Sequence, residues 1–224
     1  MGPDYRTVSR TSADVAGIDA GLRQYMLRVY NYMAGGVALT GIVAYVFSNM
    51  LATNPDMLMA VYGSPLKWVI MLSPLALVFG LSFGIHRLRP AMAQILFWIF
   101  AALMGLSLGS IFMVFTHTSI VRVFFITAAS FGALSLWGYT TQRDLTGMGS
   151  FLIMGVVGII IAALLNLFLQ SSGLSFAINV LGVLIFAGLT AYDTQTIKDG
   201  YYAVCDDAAL ATKAAVMGAL SLYL

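Results

Sequence analysis

Residues 174–198 read LSFAINVLGVLIFAGLTAYDTQTIK, an apolar run of helix-forming residues that holds one carboxylate, Asp193, before it closes on Lys198. The run is long enough to cross a bilayer as a helix, and Lys198 marks its expected water boundary. At about 1.5 Å per residue, Asp193 lies roughly 7 to 8 Å inside that boundary. A carboxylate at such depth costs about 2 kcal/mol or more unless a partner or water meets it. What offsets that cost is the question on which the reading of the chain turns.

The rest of the sequence has the same character. Of its 224 residues 60% are hydrophobic and only 9% charged, and the mean hydropathy is +0.92. These values exclude a soluble domain and indicate an all-α polytopic membrane protein, built as one bundle. The net charge of +2 is too weak to point to nucleic acid as a partner; the partner that composition names is the lipid bilayer. All nine acidic residues are Asp. The single Cys205 excludes an intramolecular disulfide and a cysteine metal cluster. There is no Asn-x-Ser/Thr sequon. The first 28 residues are polar and of mixed charge, which predicts a cytoplasmic N-terminal segment (1–28) without a cleavable signal, anchored by the first span. Within it, residues 19–28 can form a short interfacial helix with Leu22, Met26 and Val29 on one face. The transmembrane bundle is expected over 29–224.

Hydropathy and breakers place the spans at Val29–Leu51, Leu66–Ile85, Ala91–Phe115, Ile120–Thr141, Ser150–Leu169 and Leu174–Lys198. Asn54-Pro55-Asp56 and Gly63-Ser64-Pro65 are expected in the loop between the first two. Asp206 or Asp207 can N-cap a final helix from Ala208. That helix leaves only about 16 Å of rise between Lys213 and Leu224, so it reads as a seventh span whose remainder is missing. Alternate loops collect Arg6, Arg10, Arg23, Arg28, Arg87, Arg89, Arg143, Lys198 and Lys213 on one side, against Lys67 and Arg122 on the other. This bias predicts a cytoplasmic N-terminus. The same count puts His86, Arg87 and the Asp193 end of the sixth span on the cytoplasmic side, where a cation can meet the carboxylate.

Other motifs reduce to packing. Gly80-Leu-Ser-Phe-Gly84 and Gly105-Leu-Ser-Leu-Gly109 fit G-x-S-x-G, but a nucleophile elbow needs a strand-to-helix turn. Inside membrane helices the same letters are G-x-x-x-G, which lets helix backbones approach closely. His86 and His117 share no ligand spacing with a carboxylate and read as interfacial polar flanks. Asn166 and Asn179 read as interhelical hydrogen-bonding groups. Asp193 stands apart, because an intramembrane acid is a candidate functional group. Thr190, Tyr192, Thr194 and Gln195 offer further oxygens around it.

Ala191-Tyr192-Asp193-Thr194-Gln195-Thr196-Ile197-Lys198 resembles the signature of the Bax inhibitor-1 family, the transmembrane Bax-inhibitor-motif proteins. Gly218-Ala219-Leu220-Ser221-Leu222-Tyr223-Leu224 resembles that family's last-helix motif, and the Arg-rich N-terminal segment resembles its bacterial branch. The resemblance implies a seven-helix bundle with the last helix central. It implies a pH-sensitive calcium leak in the bacterial inner membrane, gated by two aspartates; the endoplasmic reticulum membrane is the alternative location. Asp193 matches the first aspartate, and the second would directly follow Leu224, where this sequence ends. A basic residue at the end of helix two latches the helix-six aspartate in the family, and Arg87 or His86 occupies that place. Two such acids share a proton, so their protonation state selects the partner each holds. Calcium takes six to eight oxygens, so Asp193 as metal ligand with a few hydroxyls makes a weak site suited to passage, with no tightly bound cofactor. An enzyme is not expected: the intramembrane aspartyl protease dyad needs Gly-x-Gly-Asp on the next helix, which this sequence lacks. The alternative function implied by bacterial relatives is a non-conducting regulator and partner of a membrane-bound AAA protease.

Overall fold

The computed structural model describes residues 12–85 and 87–224, with side chains from residue 20 onward. His86, Arg6 and Arg10 lie outside the described residues. Within them the chain is helical, with no strand. The elements are α1 (Ser12–Thr53), α2 (Pro55–Tyr62), α3 (Leu66–Gly84), α4 (Pro90–Leu108), α5 (Ile111–Val114), α6 (His117–Thr140), α7 (Thr146–Leu169), α8 (Ser172–Gly200) and α9 (Ala208–Tyr223). A 3₁₀ turn, Tyr201–Ala203, follows α8. Among the described residues six helical stretches are long and apolar enough to cross a membrane, and α9 is a shorter apolar helix.

The span boundaries fall where local chemistry puts them. Pro90 opens α4 at its first position, where no N–H is required. Asp207 caps α9 by accepting from the amides of Ala209 and Leu210 at 2.8 and 3.1 Å. Pro74 lies inside α3 without ending it, and the Ser73 hydroxyl donates to the carbonyl of Ile70 that the proline leaves without its amide. Three expectations need correction. The loop after the first span contains a helix, α2, because Pro55 is a good first helical residue and Val61 buries against Phe47 and Leu51. The third span breaks into α4 and α5 at Gly109-Ser110.

The third correction concerns the N-terminal segment. It is no separate interfacial helix: α1 runs unbroken for 42 residues, about 63 Å at the standard rise and twice the thickness of the hydrocarbon core. Leu22, Met26 and Val29 do share one face, but that face enters the protein core with Ile197, Ala215, Val216, Ala219 and Leu220. Burying side chains of this size stabilises by about 1.5–3 kcal/mol each, more than a shallow interfacial contact provides.

Two groups of helices result. In one, α1 packs on α4 and α9, and α3 on α4; in the other, α6 and α7 pack on α8. The groups meet where α8 lies against α9. Outward faces are apolar, as for Phe83 (82% exposed) and Phe168 (86%), which lipid covers. Backbone contacts set the closest approaches. A Cβ at Gly105 would lie 2.8 Å from the Thr40 carbonyl oxygen, and one at Gly138 would strike the backbone of Ala191. The Gly105–Gly109 motif therefore packs on α1 as expected. The Gly80–Gly84 motif does not pack: a Cβ at Gly80 meets nothing within 4 Å, and Gly84 meets only the tip of Leu88.

Candidate functional site

Asp193 sits on α8, half-buried, at a cavity of about 460 Å³ that α8 shares with the end of α9. Phe186, Leu189 and Thr190 form the α8 wall; Ser221, Tyr223 and Leu224 are on the α9 side. Ser221 brings a hydroxyl from α9 to the cavity that the carboxylate lines. No Lys, Arg or His is among the described residues lining this space. Tyr223 is the other titratable side chain that faces it.

Hydrogen bonds tie both walls to α1. Thr40 donates to the Ala101 carbonyl at 2.7 Å, which uses its only proton. The 2.6 Å contact between Thr40 and the Tyr223 hydroxyl is therefore donated by Tyr223. Thr194 donates to the Thr190 carbonyl at 2.8 Å, so Ser135 donates to Thr194 at 3.0 Å and Tyr30 to Ser135 at 2.6 Å. One directed chain runs Tyr30, Ser135, Thr194, Thr190 carbonyl, crossing from α1 through α6 to the Asp193 turn. The other runs Tyr223, Thr40, Ala101 carbonyl, from α9 through α1 to α4. Tyr30 and Thr40 stand about 15 Å apart along α1, so α1 takes part in a chain of bonds to each wall of the cavity.

The sequence-predicted residues separate. Thr190 lines the cavity with Asp193, although its hydroxyl is spent on the Phe186 carbonyl at 2.9 Å. Tyr192, one residue before Asp193, turns toward α7, where its ring covers Gly149; it does not line the Asp193 cavity. Arg87 is exposed in the turn after α3 and does not line the Asp193 cavity, although Ile85, two residues earlier, is buried in the core cluster that holds Ile197 and α9 residues. His86 lies outside the described residues. Lys198 is no simple water boundary: its ammonium donates to the Tyr139 carbonyl at 2.9 Å and lies 5.5 Å over the Tyr139 ring. A cation suits the carbonyl end of α6.

Gln195 does a structural task. Its Oε1 accepts from the Leu145 amide and its Nε2 donates to the Arg143 carbonyl, each at 2.8 Å, clamping the turn between α6 and α7. Replacing Gln195 with Leu orphans the buried Leu145 amide, which costs about 1–3 kcal/mol. The melting temperature in detergent should fall and amide exchange at Leu145 should accelerate. Unchanged exchange there would show that another group holds the turn.

Ser221, Tyr223, Thr40, Tyr30 and Ser135 are the site residues that reasoning on the oxygens near Asp193 missed. Their sequence signal is hydroxyls inside apolar spans, which is too common to single them out. Among the described residues no three of His, Cys, Asp or Glu cluster as a metal site. The oxygens here comprise one carboxylate and hydroxyls, a donor set below the six to eight that a tight calcium site uses.

Comparison with known proteins agrees with the two motifs on which this site is built. The family model described as inhibitor of apoptosis-promoting Bax1 matches residues 22–224. An uncharacterized protein of Caulobacter vibrioides is 46% identical over 98% of this chain and 89% of its own length. An uncharacterized protein of Rickettsia prowazekii is 45% identical over 99% of this chain and 92% of its own length. The inner membrane protein YbhL of Escherichia coli is 42% identical over 92% of this chain and 87% of its own. No solved structure matches the chain. With its apolar helices, this likeness makes it a multi-pass inner-membrane protein, and the chain belongs to the bacterial branch of the Bax inhibitor-1 family.

Proposed function

We propose that the protein is a pH-responsive calcium leak of the inner membrane, in which Asp193 both titrates and holds the passing ion. The observation that carries this reading is a carboxylate set within a spanning helix, half-buried against a cavity of about 460 Å³. A single acid with Ser221 and neighbouring hydroxyls binds calcium weakly, which permits release as well as entry. Protonation removes the charge that calcium needs. The contacts of α9 with α1, α4 and α8, and the full burial of Ala215, Val216 and Ala219, support its role as the central helix of a seven-helix bundle. Arg87, exposed in the arrangement described, would latch Asp193 only in a second, closed arrangement that brings the end of α3 toward α8; His86 is the alternative latch.

The test is calcium entry into liposomes that contain the purified protein and an enclosed indicator, measured from pH 5 to 8. Flux that changes with pH is expected. Absence of flux at every pH overturns the leak and favours the non-conducting regulator of a membrane-bound AAA protease.

The Lys and Arg bias orients the protein with its N-terminus in the cytoplasm. Cys205 is exposed and is the chain's single cysteine, so it reports its side directly. A membrane-impermeant thiol reagent should leave it unmodified in intact cells and label it in inverted vesicles. Labelling in intact cells reverses the orientation.

A further inference from the structure

Between α1 and α6 lies a groove that the hydrogen-bond chain touches but does not fill. The two helices are not a packed pair; they meet through the bond from Tyr30 to Ser135. Beside that bond opens a cavity of about 510 Å³, within the roughly 300–1,000 Å³ usual for a small-ligand pocket. From α1 it takes Arg23, Met26, Leu27 and Tyr30, a stripe at helical spacing. From α6 the stripe that includes Gly132 and Leu136 closes the other wall. A Cβ at Gly132 would meet nothing within 4 Å, so the floor of the groove is open because this residue has no side chain.

The groove is polar at one end only. Arg23 stands seven residues before Tyr30, about 10 Å further toward the N-terminal end of α1, and outside the apolar part of the span that starts at Val29. The remaining lining is apolar apart from three hydroxyls: those of Tyr30 and Ser135, which bond each other, and that of Tyr139 near the end of α6. Lys198 also lies at this end, but its ammonium is held by the Tyr139 carbonyl. An apolar channel at membrane depth with a guanidinium at its mouth matches one chemistry: a hydrocarbon chain attached to a phosphate. Basic pockets between spanning helices bind lipid headgroups in this way, and an arginine fork suits phosphate oxygens.

We propose that the α1–α6 groove is a binding site for one anionic phospholipid, with an acyl chain over Gly132 and the phosphate on Arg23. This does not rest on the calcium reading. The occupant touches Tyr30 and Ser135, so the site lies at the start of the chain that ends on the Asp193 turn.

The experiment is native mass spectrometry of the full chain released from micelles, with phosphatidylglycerol or phosphatidylcholine of identical acyl chains added. The wild type should retain one phosphatidylglycerol with about a fivefold preference over phosphatidylcholine, the worth of one cation at a membrane surface. Arg23→Gln should abolish the preference while retaining a lipid of either kind. Gly132→Leu should lose both lipids, because its side chain occupies the floor, and Gly132→Ala should lose part of the retention. A Cβ at Gly132 meets no neighbour, so Gly132→Ala should melt no lower than the wild type. Equal retention of the two lipids by the wild type overturns the phosphate contact. Undiminished retention by folded Gly132→Leu overturns the groove.

Discussion

Liposomes carrying the Asp193→Asn protein should show a calcium flux that no longer follows pH, losing most of the dependence seen with the wild type. The substitution keeps the size of the side chain and its capacity to hydrogen-bond while removing the titrating charge. In the proposed mechanism calcium and a latching cation both bind the ionised acid, and a proton displaces either. The ionised fraction of one acid changes at most about tenfold per pH unit, which sets the steepest response that Asp193 can give. Burial disfavours its charged form and a cation favours it, so any movement that separates the two changes its protonation.

A second acid needs a control. Asp144, in the turn between α6 and α7, accepts from the Thr146 amide at 2.9 Å. The Thr146 hydroxyl and amide hold its carboxyl below the ordinary carboxylate range. A depressed value means that this bond contributes above the unfolded-state pKa and is lost only as pH falls through the lower folded value. Asp144 therefore stays ionised through the range in which flux is measured, and Asp144→Asn should leave the profile in place. If Asp193→Asn keeps the wild-type pH profile, its carboxylate is structural and the leak has lost its sensor.

The largest structural effect is expected at Gly138. A side chain there meets the backbone carbonyl oxygen, Cα and carbonyl carbon of Ala191, and backbone cannot turn aside as a side-chain tip can. Gly138→Leu must push α6 away from α8. Three residues before Gly138, Ser135 donates to Thr194 at 3.0 Å, and Thr194 is fully buried. Separation breaks that bond and strands hydroxyls inside the bundle. Overpacking costs about 1–3 kcal/mol, and an unsatisfied buried donor about as much again, against a total stability on the order of 5–15 kcal/mol. The variant should accumulate poorly and melt far below the wild type in detergent. Gly158→Ala, where a Cβ meets nothing within 4 Å, should be neutral. A wild-type melting temperature for Gly138→Leu would mean that α6 and α8 need not touch.

The two glycine motifs show how far sequence reading reaches. Gly80-Leu-Ser-Phe-Gly84 and Gly105-Leu-Ser-Leu-Gly109 are almost the same five letters, yet the second is pressed against α1 and the first faces open space. Nothing local separates them, because close packing belongs to the pair of helices and the partner is absent from the motif. Leu22, Met26 and Val29 were legible as one helix face by spacing alone. That the face buries against α9 and not in the membrane interface depends on residues nearly two hundred positions away.

The sequence by itself determined depth. Apolar runs, prolines, caps and terminal charges placed the spans of α3, α6, α7 and α8 to within a few residues, put Asp193 inside a spanning helix, and marked Asp207 as a cap. Each of these follows from the solvent or lipid that a residue meets along the membrane normal, which a short window of sequence reports. Azimuth was decided only by the tertiary structure. Arg87, which the charge count puts at the same side of the membrane as Asp193, lies outside its cavity, and Tyr192 adjoins Asp193 in sequence but is rotated toward α7. Lipid is the same in every direction around a helix, so hydropathy is blind to rotation. Which face turns to Ser221 and Tyr223 is set by backbone approaches such as Gly138 on Ala191 and by hydroxyl chains that close only when the helices are in contact.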